Sequence, residues 1–426
     1  MAHEFSFTTS NKKIHVIREF KIKLPQLWKA WTEKNLLDQW WGPYPWKVQT
    51  KAMDFREGGH WLYAMVGPNE ERHWSRTDFK KIENQKMIIS QAFFCDEEGR
   101  INQDIASMQW TIDFSQNAAS SRVEITIEMD SEQGLNQILA MGFQQGFTMG
   151  LGNLEGLLPD LRINGSGYAP INGIKMYYEI YGDSDQDLVL IHGGGSTIES
   201  CFGNAIPFFS DSHRLIALEL QAHGHTSDRE APQSYEQDAD DIAALMAYLG
   251  VEKASFFGFS NGGTAALQIG IRHPGLVDKL IILSAGFQRE AFVDGFFDIF
   301  PNASIEKTFP EALKKAFLKV CPDQALLENM FEKDRWRMEN FKSIPDKLLK
   351  SIRSKILVMT ADKDILKAEE VVRLSNLLPN GRLIILPGFH GQCLATAEMT
   401  GQEGIEGIFP RITIELIDSF LKEMTI

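Results

Sequence analysis

The chain has 426 residues, 43% of them hydrophobic, and its 57 acidic against 43 basic side chains give a formal net charge of −14. That length accommodates two folded units, and the acidic balance argues against nucleic-acid or anionic-membrane partners, which reward positive patches. No apolar run approaches the ~20 residues that span a bilayer, the polar start Met1-Ala-His-Glu4 lacks a basic-then-apolar export signal, and Cys95, Cys201, Cys321 and Cys393 are scattered without a Cys-x-x-Cys pair, which predicts free thiols in a reducing cytoplasm.

In chain order, the first half reads as a strand over His15 to Lys23, a helix opened by Pro25, several strands, and one long helix from about Ser131 to Leu158. Proline suits a first helical turn because its missing N–H would be unpaired there anyway. The late strands are Ser107 to Phe114 and Arg122 to Met129. Apolar spacing at Met141, Phe143, Phe147, Met149 and Leu154 fits either a cavity-facing stripe or plain helix core. Eight of the nine tryptophans precede residue 111, and Asn164-Gly-Ser-Gly167 reads as a linker, so a domain boundary is expected near 160–166.

With Leu36-Leu-Asp-Gln-Trp-Trp-Gly-Pro43 and Asp54-Phe-Arg-Glu-Gly-Gly-His-Trp61, residues 10–160 resemble the START-like helix-grip (SRPBCC) superfamily, in the branch named for activators of the heat-shock-protein-90 ATPase. The resemblance implies an α+β domain in which a curved antiparallel sheet wraps a long helix and leaves an apolar cavity. A small apolar ligand is therefore expected there; the branch name alone does not make the chain a chaperone partner.

The second half alternates strands, at 188–191, 214–220, 254–259, 279–284, 355–360 and 382–386, with helical segments, the last at about 367–378 and 410–423. That rhythm predicts a mostly parallel, doubly covered sheet. The first of these strands runs into His192-Gly-Gly-Gly195, whose glycines let backbone N–H groups turn inward; no Lys-Ser/Thr follows, which argues against a nucleotide loop. His223 and His225 lack a third ligand, so a turn role outweighs a metal pair. Ser234-Tyr-Glu-Gln237 reads as a capping box for the next helix.

Gly258-Phe-Ser260-Asn-Gly262 then places a serine at a strand-to-helix turn, the nucleophile-elbow pattern. A serine hydroxyl needs a base, and the base needs an acid to hold its tautomer. The strand ending at Thr360 delivers Asp362 and Asp364, and the strand ending at Pro387 delivers His390. Between Ala285 and Lys350 the strand rhythm stops in a helical, aromatic-rich insertion that begins at Arg289.

On these motifs residues 166–426 resemble the α/β-hydrolase fold family, in the serine branch that holds esterases, C–C hydrolases, perhydrolases and proline iminopeptidases. The resemblance implies that Ser260 attacks a carbonyl, that His390 is its base, and that Asp364 rather than Asp362 is the acid. The N–H groups of Gly194 and Asn261 would then stabilise the oxyanion, and an insertion at about 286–350 would be a cap. Phe292, Phe296, Phe297 and Phe300 would line the substrate pocket or anchor that cap. Ala222 and Ala361 stand where the family often has glycine, a change expected to be tolerated unless either position needs a positive φ. No metal or organic cofactor is implied. The expected activity is hydrolysis of a small ester or related carbonyl compound; the alternative is a non-catalytic ligand-binding or chaperone-associated protein that uses both cavities.

Overall fold

The computed structural model of the protein describes residues 5–117, 120–399 and 408–423. The chain divides into two units, Met1–Arg162 and Ile163–Ile426.

In the first unit β1 (Phe5–Ser10), β2 (Lys13–Phe20), β3 (Lys47–Met53), β4 (His60–Val66), β5 (Arg72–Glu83), β6 (Met87–Cys95), β7 (Met108–Gln116) and β8 (Ser121–Glu128) form one sheet in the order β1-β2-β8-β7-β6-β5-β4-β3. Every neighbouring pair is antiparallel. Along β8, Val123, Ile125 and Ile127 are fully buried and alternate with half-buried residues, the period-two pattern of a sheet with one face on a core. Two short helices, Leu24–Thr32 with Pro25 in its first turn and Lys34–Trp40, lie between β2 and β3.

The single helix expected from Ser131 to Leu158 is two. Glu132–Ala140 is capped by the Ser131 hydroxyl, which accepts from the Gly134 N–H at 3.0 Å, and Phe143–Arg162 follows. Between them Gly142 takes φ +85°, the left-handed conformation that ends helices. The apolar spacing runs straight across this stop signal. Both helices pack on the sheet in a core that includes Trp28, Trp31, Trp40, Trp61 and Trp110.

The second unit holds β9 (Gly165–Ile171), β10 (Ile174–Tyr181), β11 (Asp187–Ile191), β12 (Arg214–Leu218), β13 (Ala254–Phe259), β14 (Val277–Leu283), β15 (Lys355–Lys363) and β16 (Gly381–Phe389) in the order β16-β15-β14-β13-β11-β12-β10-β9. From β16 to β12 the neighbours are parallel; β10 and β9 add antiparallel pairs at the edge. The stretch that reads as a linker is thus the start of β9. Gly165 and Gly167 pair with Ile180 and Tyr178, and a Cβ on Gly167 would lie 2.9 Å from the Tyr178 hydroxyl, so the glycine makes room for the tyrosine across the ladder.

β13 is buried along its whole length because helices cover both faces of the sheet. Alternate residues serve two cores: Val189, Ile191, Phe256 and Ile282 on one face, Leu188, Leu190, Phe257 and Ile281 on the other. Between β14 and β15 lies the cap, with helices Glu311–Val320 and Gln324–Glu339. It opens with a 3-10 turn at Arg289–Ala291 and an extended Phe292 that bridges to Leu366, where the sequence had suggested a helix. Among the described residues no helix is long and apolar enough to cross a membrane.

Candidate active site

β13 stops at Phe259 and the helix Asn261–Arg272 starts two residues later, so Ser260 must reverse the chain by itself. It does so at φ 53°, ψ −120°, a region that costs a non-glycine residue about 1–3 kcal/mol. The strain is held from both sides: the Ser260 N–H donates to Leu283 O at 2.9 Å, and its carbonyl accepts from the Gly263 N–H at 2.9 Å. The flanking glycines are sterically required. A Cβ on Gly258 would lie 2.2 Å from Gly262 O, and one on Gly262 would lie 2.1 Å from Ile191 O.

His390, just beyond the end of β16, brings its Nε2 to 3.1 Å from the Ser260 hydroxyl and its Nδ1 to 2.7 Å from Asp364. These contacts assign Nδ1–H as donor to the carboxylate and leave Nε2 as acceptor for the Ser260 hydroxyl. Asp364 is buried, and it also accepts from the Ile365 N–H at 2.7 Å, the Thr360 hydroxyl at 3.0 Å, the Ala361 N–H at 3.3 Å and the Ser284 hydroxyl. Burial pushes its carboxyl upward, but His390 and these donors outweigh burial and hold it down to about 2, so it is ionised at neutral pH. Asp362 does something else: it accepts from the Gly388 N–H at 2.8 Å and ties the end of β15 to the turn that presents His390.

Gly194 and Asn261 both border the pocket above Ser260. Among the described residues neither backbone N–H has a hydrogen-bond partner. A Cβ on Gly194 would come within 2.5 Å of the Asn261 side-chain nitrogen, so the two donor loops abut. Tyr235 donates its hydroxyl to the Asn261 side-chain oxygen at 2.8 Å.

The nearby histidines are scaffold. His192 accepts from the Leu220 N–H at 3.0 Å on Nε2 and donates from Nδ1 to Gly193 O at 2.7 Å; burial pushes its pKa down to about 3 and keeps it neutral. His223 and His225 turn to different carboxylates, Asp334 and Glu219. Ala222 does occupy a positive φ, 66°, whereas Ala361 lies within β15 without one. The strain at Ala222 is accommodated by packing: its methyl sits in a cluster with Ile305, Phe317 and Met330 of the cap.

The pocket above Ser260 measures about 130 Å³, and Phe292, Phe296, Met338 and Ile365 form its apolar wall. Phe297 and Phe300 are outside it. Phe297 packs edge-on against Phe292 with the Arg289 guanidinium 3.7 Å over its face, and so serves the anchoring role. Sequence reasoning did not single out Ser284, Met338 or Asp334. Ser284, whose φ of 53° sits at the end of β14, carried a weak signal as a polar residue closing an apolar strand.

The first unit encloses a separate cavity of about 450 Å³ walled by Trp31, Trp41, Trp61, Trp110, Phe143 and Phe147. Met141 also lines it, while Met149 is exposed and Leu154 is fully buried in the core. One polar row crosses the wall: His73, Ser75 and Thr77, alternate residues of β5 and therefore on one face, with Ser90 on neighbouring β6. Among the described residues no Asp, Glu, Lys or Arg lines it.

Residues 21–159 match the family described as Activator of Hsp90 ATPase homolog 1-like protein, and residues 188–340 match the alpha/beta hydrolase fold. The first unit is an activator-like helix-grip domain and the second an α/β-hydrolase fold. Among relatives of the second unit, a dihydrolipoyllysine-residue acetyltransferase component of an acetoin cleaving system from Cupriavidus necator is 27% identical over 35% of this chain and 40% of its own length. A human serine hydrolase, BPHL, is 29% identical over 27% of this chain and 41% of its own length. The chain thus spans about two-fifths of the length of these two relatives. A bifunctional esterase/perhydrolase from Acinetobacter calcoaceticus is 24% identical over 54% of this chain and 95% of its own. The crystal structure of a membrane phospholipase A has the same fold, with a TM-score of 0.51 at 19% identity over 67% of this chain and 96% of that one.

Proposed function

We propose that the α/β-hydrolase unit is a serine hydrolase of small esters or related carbonyl compounds. The observation that carries this reading is the continuous relay from Ser260 through His390 to a buried, ionised Asp364, at 3.1 and 2.7 Å, on a strained elbow. In the proposed reaction His390 Nε2 takes the Ser260 proton as the serine oxygen bonds to the substrate carbonyl carbon. The carbonyl electron pair moves onto oxygen, where the N–H groups of Gly194 and Asn261 receive it. Collapse of that intermediate breaks the bond to the leaving group, which takes the proton from His390. Water, deprotonated by His390, then attacks the acyl-serine, releasing a carboxylic acid and restoring the serine. The pocket of about 130 Å³ supports a small acyl group.

Labelling by a fluorophosphonate probe tests this. The full chain is expected to label, and Ser260→Ala and His390→Ala are expected to abolish it; a folded chain that does not label would refute the proposal.

For the activator-like unit we propose binding of a neutral ring compound that carries oxygen along one edge. The uncharged aromatic walls and the polar row on β5 support this, and about 450 Å³ lies in the range of small-molecule sites. Tryptophan fluorescence, dominated by this unit, should be quenched more tightly by 2-naphthol than by naphthalene, and Thr77→Val should narrow the difference; equal affinities would refute it. Four cysteines, all free thiols, support a cytoplasmic setting.

A further inference from the structure

Asp334, Arg337 and Met338 sit at i, i+3 and i+4 on the cap helix Gln324–Glu339, so one face carries all three toward the active site. Met338 enters the acyl pocket. Asp334 accepts from the Gly195 N–H at 2.6 Å, and a Cβ on Gly194 would lie 3.0 Å from the same carboxylate oxygen. Gly194 is thus held between the cap carboxylate on one side and the Asn261 amide, 2.5 Å from that Cβ position, on the other.

Two basic side chains flank Asp334. His223, fully buried, places Nε2 at 3.1 Å both from Asp334 and from the Gly195 nitrogen, so that it shares the Gly195 N–H with the carboxylate, while Nδ1 lies 2.9 Å from Gln221 O. Arg337, 3% exposed, donates to Asp334 and, at 2.9 Å, to the buried Asp238, while its guanidinium lies 5.1 Å from the Tyr235 ring centre. Tyr235 in turn holds Asn261. Both loops that carry the oxyanion donors are therefore tied to one cap helix.

A lone carboxylate beside an oxyanion hole would oppose the charge that develops there. Paired to Arg337 it becomes a clamp whose charge is offset, while its oxygen at 2.6 Å remains the nearer acceptor for the Gly195 N–H, with His223 Nε2 at 3.1 Å. Burial pushes the Asp334 carboxyl upward, yet Arg337 and His223 hold it well below the ordinary carboxylate range, so the acceptor stays ionised.

We propose that Asp334 is a positioning residue of the cap: by anchoring the Gly195 N–H it fixes the Gly194–Gly195 peptide plane and, through the shared Gly194 Cα, restrains the preceding Gly193–Gly194 plane whose N–H is aimed at the oxyanion. Closing the cap helix and completing the oxyanion hole are then one event. The proposal rests on the serine-hydrolase reading and assigns to the cap a role in the chemical step as well as in substrate choice.

Two measurements on the full chain test it: amide hydrogen exchange at Gly194–Gly195, which needs no turnover, and steady-state kinetics with a p-nitrophenyl acetate series. Asp334→Leu removes the 2.6 Å acceptor and leaves only the longer contact to His223 Nε2 at 3.1 Å, Asp334→Ala does so while leaving room for water and serves if the leucine variant does not fold, and Asp334→Asn keeps an acceptor in the same shape. In D334L or D334A, Gly195 exchange is expected to rise at least about 10-fold and kcat to fall about 30-fold with KM nearly unchanged. D334N is expected to stay within a few-fold of the original chain in both. Unchanged Gly195 protection without the carboxylate would show that His223 alone holds the N–H and overturns the clamp. Lost protection with unchanged kcat overturns its catalytic role. An original chain with no Ser260-dependent turnover refutes instead the reading on which the proposal rests.

Discussion

Replacing Gly262 by alanine tests whether the elbow is as tightly built as the coordinates indicate. The added Cβ would lie 2.1 Å from Ile191 O and 2.5 Å from His192 O, backbone atoms at the end of β11, where the glycine loop begins. A carbon and an oxygen in van der Waals contact need more than 3 Å, so strand and helix must separate by roughly 1 Å at a point where neither has a flexible side chain to give way. Overpacking of this kind costs about 1–3 kcal/mol, and the upper end applies because only backbone can move. For a unit of this size that corresponds to a fall in Tm of about 6–12 °C. Gly275 is the control: a Cβ there meets nothing within 4 Å and its φ is not positive. Gly275→Ala should be neutral or stabilising by about 0.4–1 kcal/mol through the unfolded chain. Calorimetry of the two variants checks stability, and fluorophosphonate labelling checks whether displacement of the loop also slows the serine. A G262A chain as stable and as reactive as the original would refute the close-approach argument.

Stability should fall on acidification in two windows. His192 has its folded pKa depressed to about 3 from 6.5, so its contribution is present above about 6.5 and is lost progressively toward 3. Asp364 is depressed to about 2 from 3.8, so its share, about 2 kcal/mol, is lost only between about pH 4 and 2. His192→Gln should flatten the upper window and Asp364→Asn the lower one in calorimetry against pH, and an unchanged profile in either variant would refute that assignment. Phe296→Ala opens the apolar wall of the acyl pocket and should raise the ratio of kcat/KM for butyrate over acetate esters about 10-fold; a constant ratio would place the acyl group elsewhere.

Much of the architecture was legible because local signals agreed with it. Apolar runs such as Leu188 to Ile191 and Ala254 to Phe257 are strands covered on both faces; Ser234 caps its helix by accepting from the Gln237 N–H, but the box its spacing suggests is not closed, since Gln237 turns its side chain to Asp241. Where two local signals compete, one was misread. Apolar spacing outweighed the left-handed glycine at Gly142, and glycine composition outweighed strand pairing at Gly165 and Gly167. In both places glycine was ambiguous for the same reason: it either breaks an element or lets a neighbouring side chain approach, and only the neighbour decides which.

The site divides along a similar line. The convergence of Ser260, Asp364 and His390 was readable because each lies where a strand ends, and strand ends are local; Asp362, two residues from Asp364, shows how narrow that margin is, since it bonds the turn instead. The clamp was not readable. Asp334 and Gly195 are separated by 139 positions and Arg337 and Asp238 by 99, and nothing near Asp334 distinguishes it from the other charged residues of Glu328-Asn-Met-Phe-Glu-Lys-Asp334-Arg. Ala222 adds a second case. Its methyl is strained in isolation at φ 66° and sensible only once the cap packs on it. Residues that meet at Ser260 are written into single turns of chain, whereas those of the proposed clamp come together only after the insertion has folded back over the sheet. Specificity and oxyanion geometry therefore depend on long-range contacts, so substitutions in the cap should change the rate and substrate range while leaving the elbow itself intact.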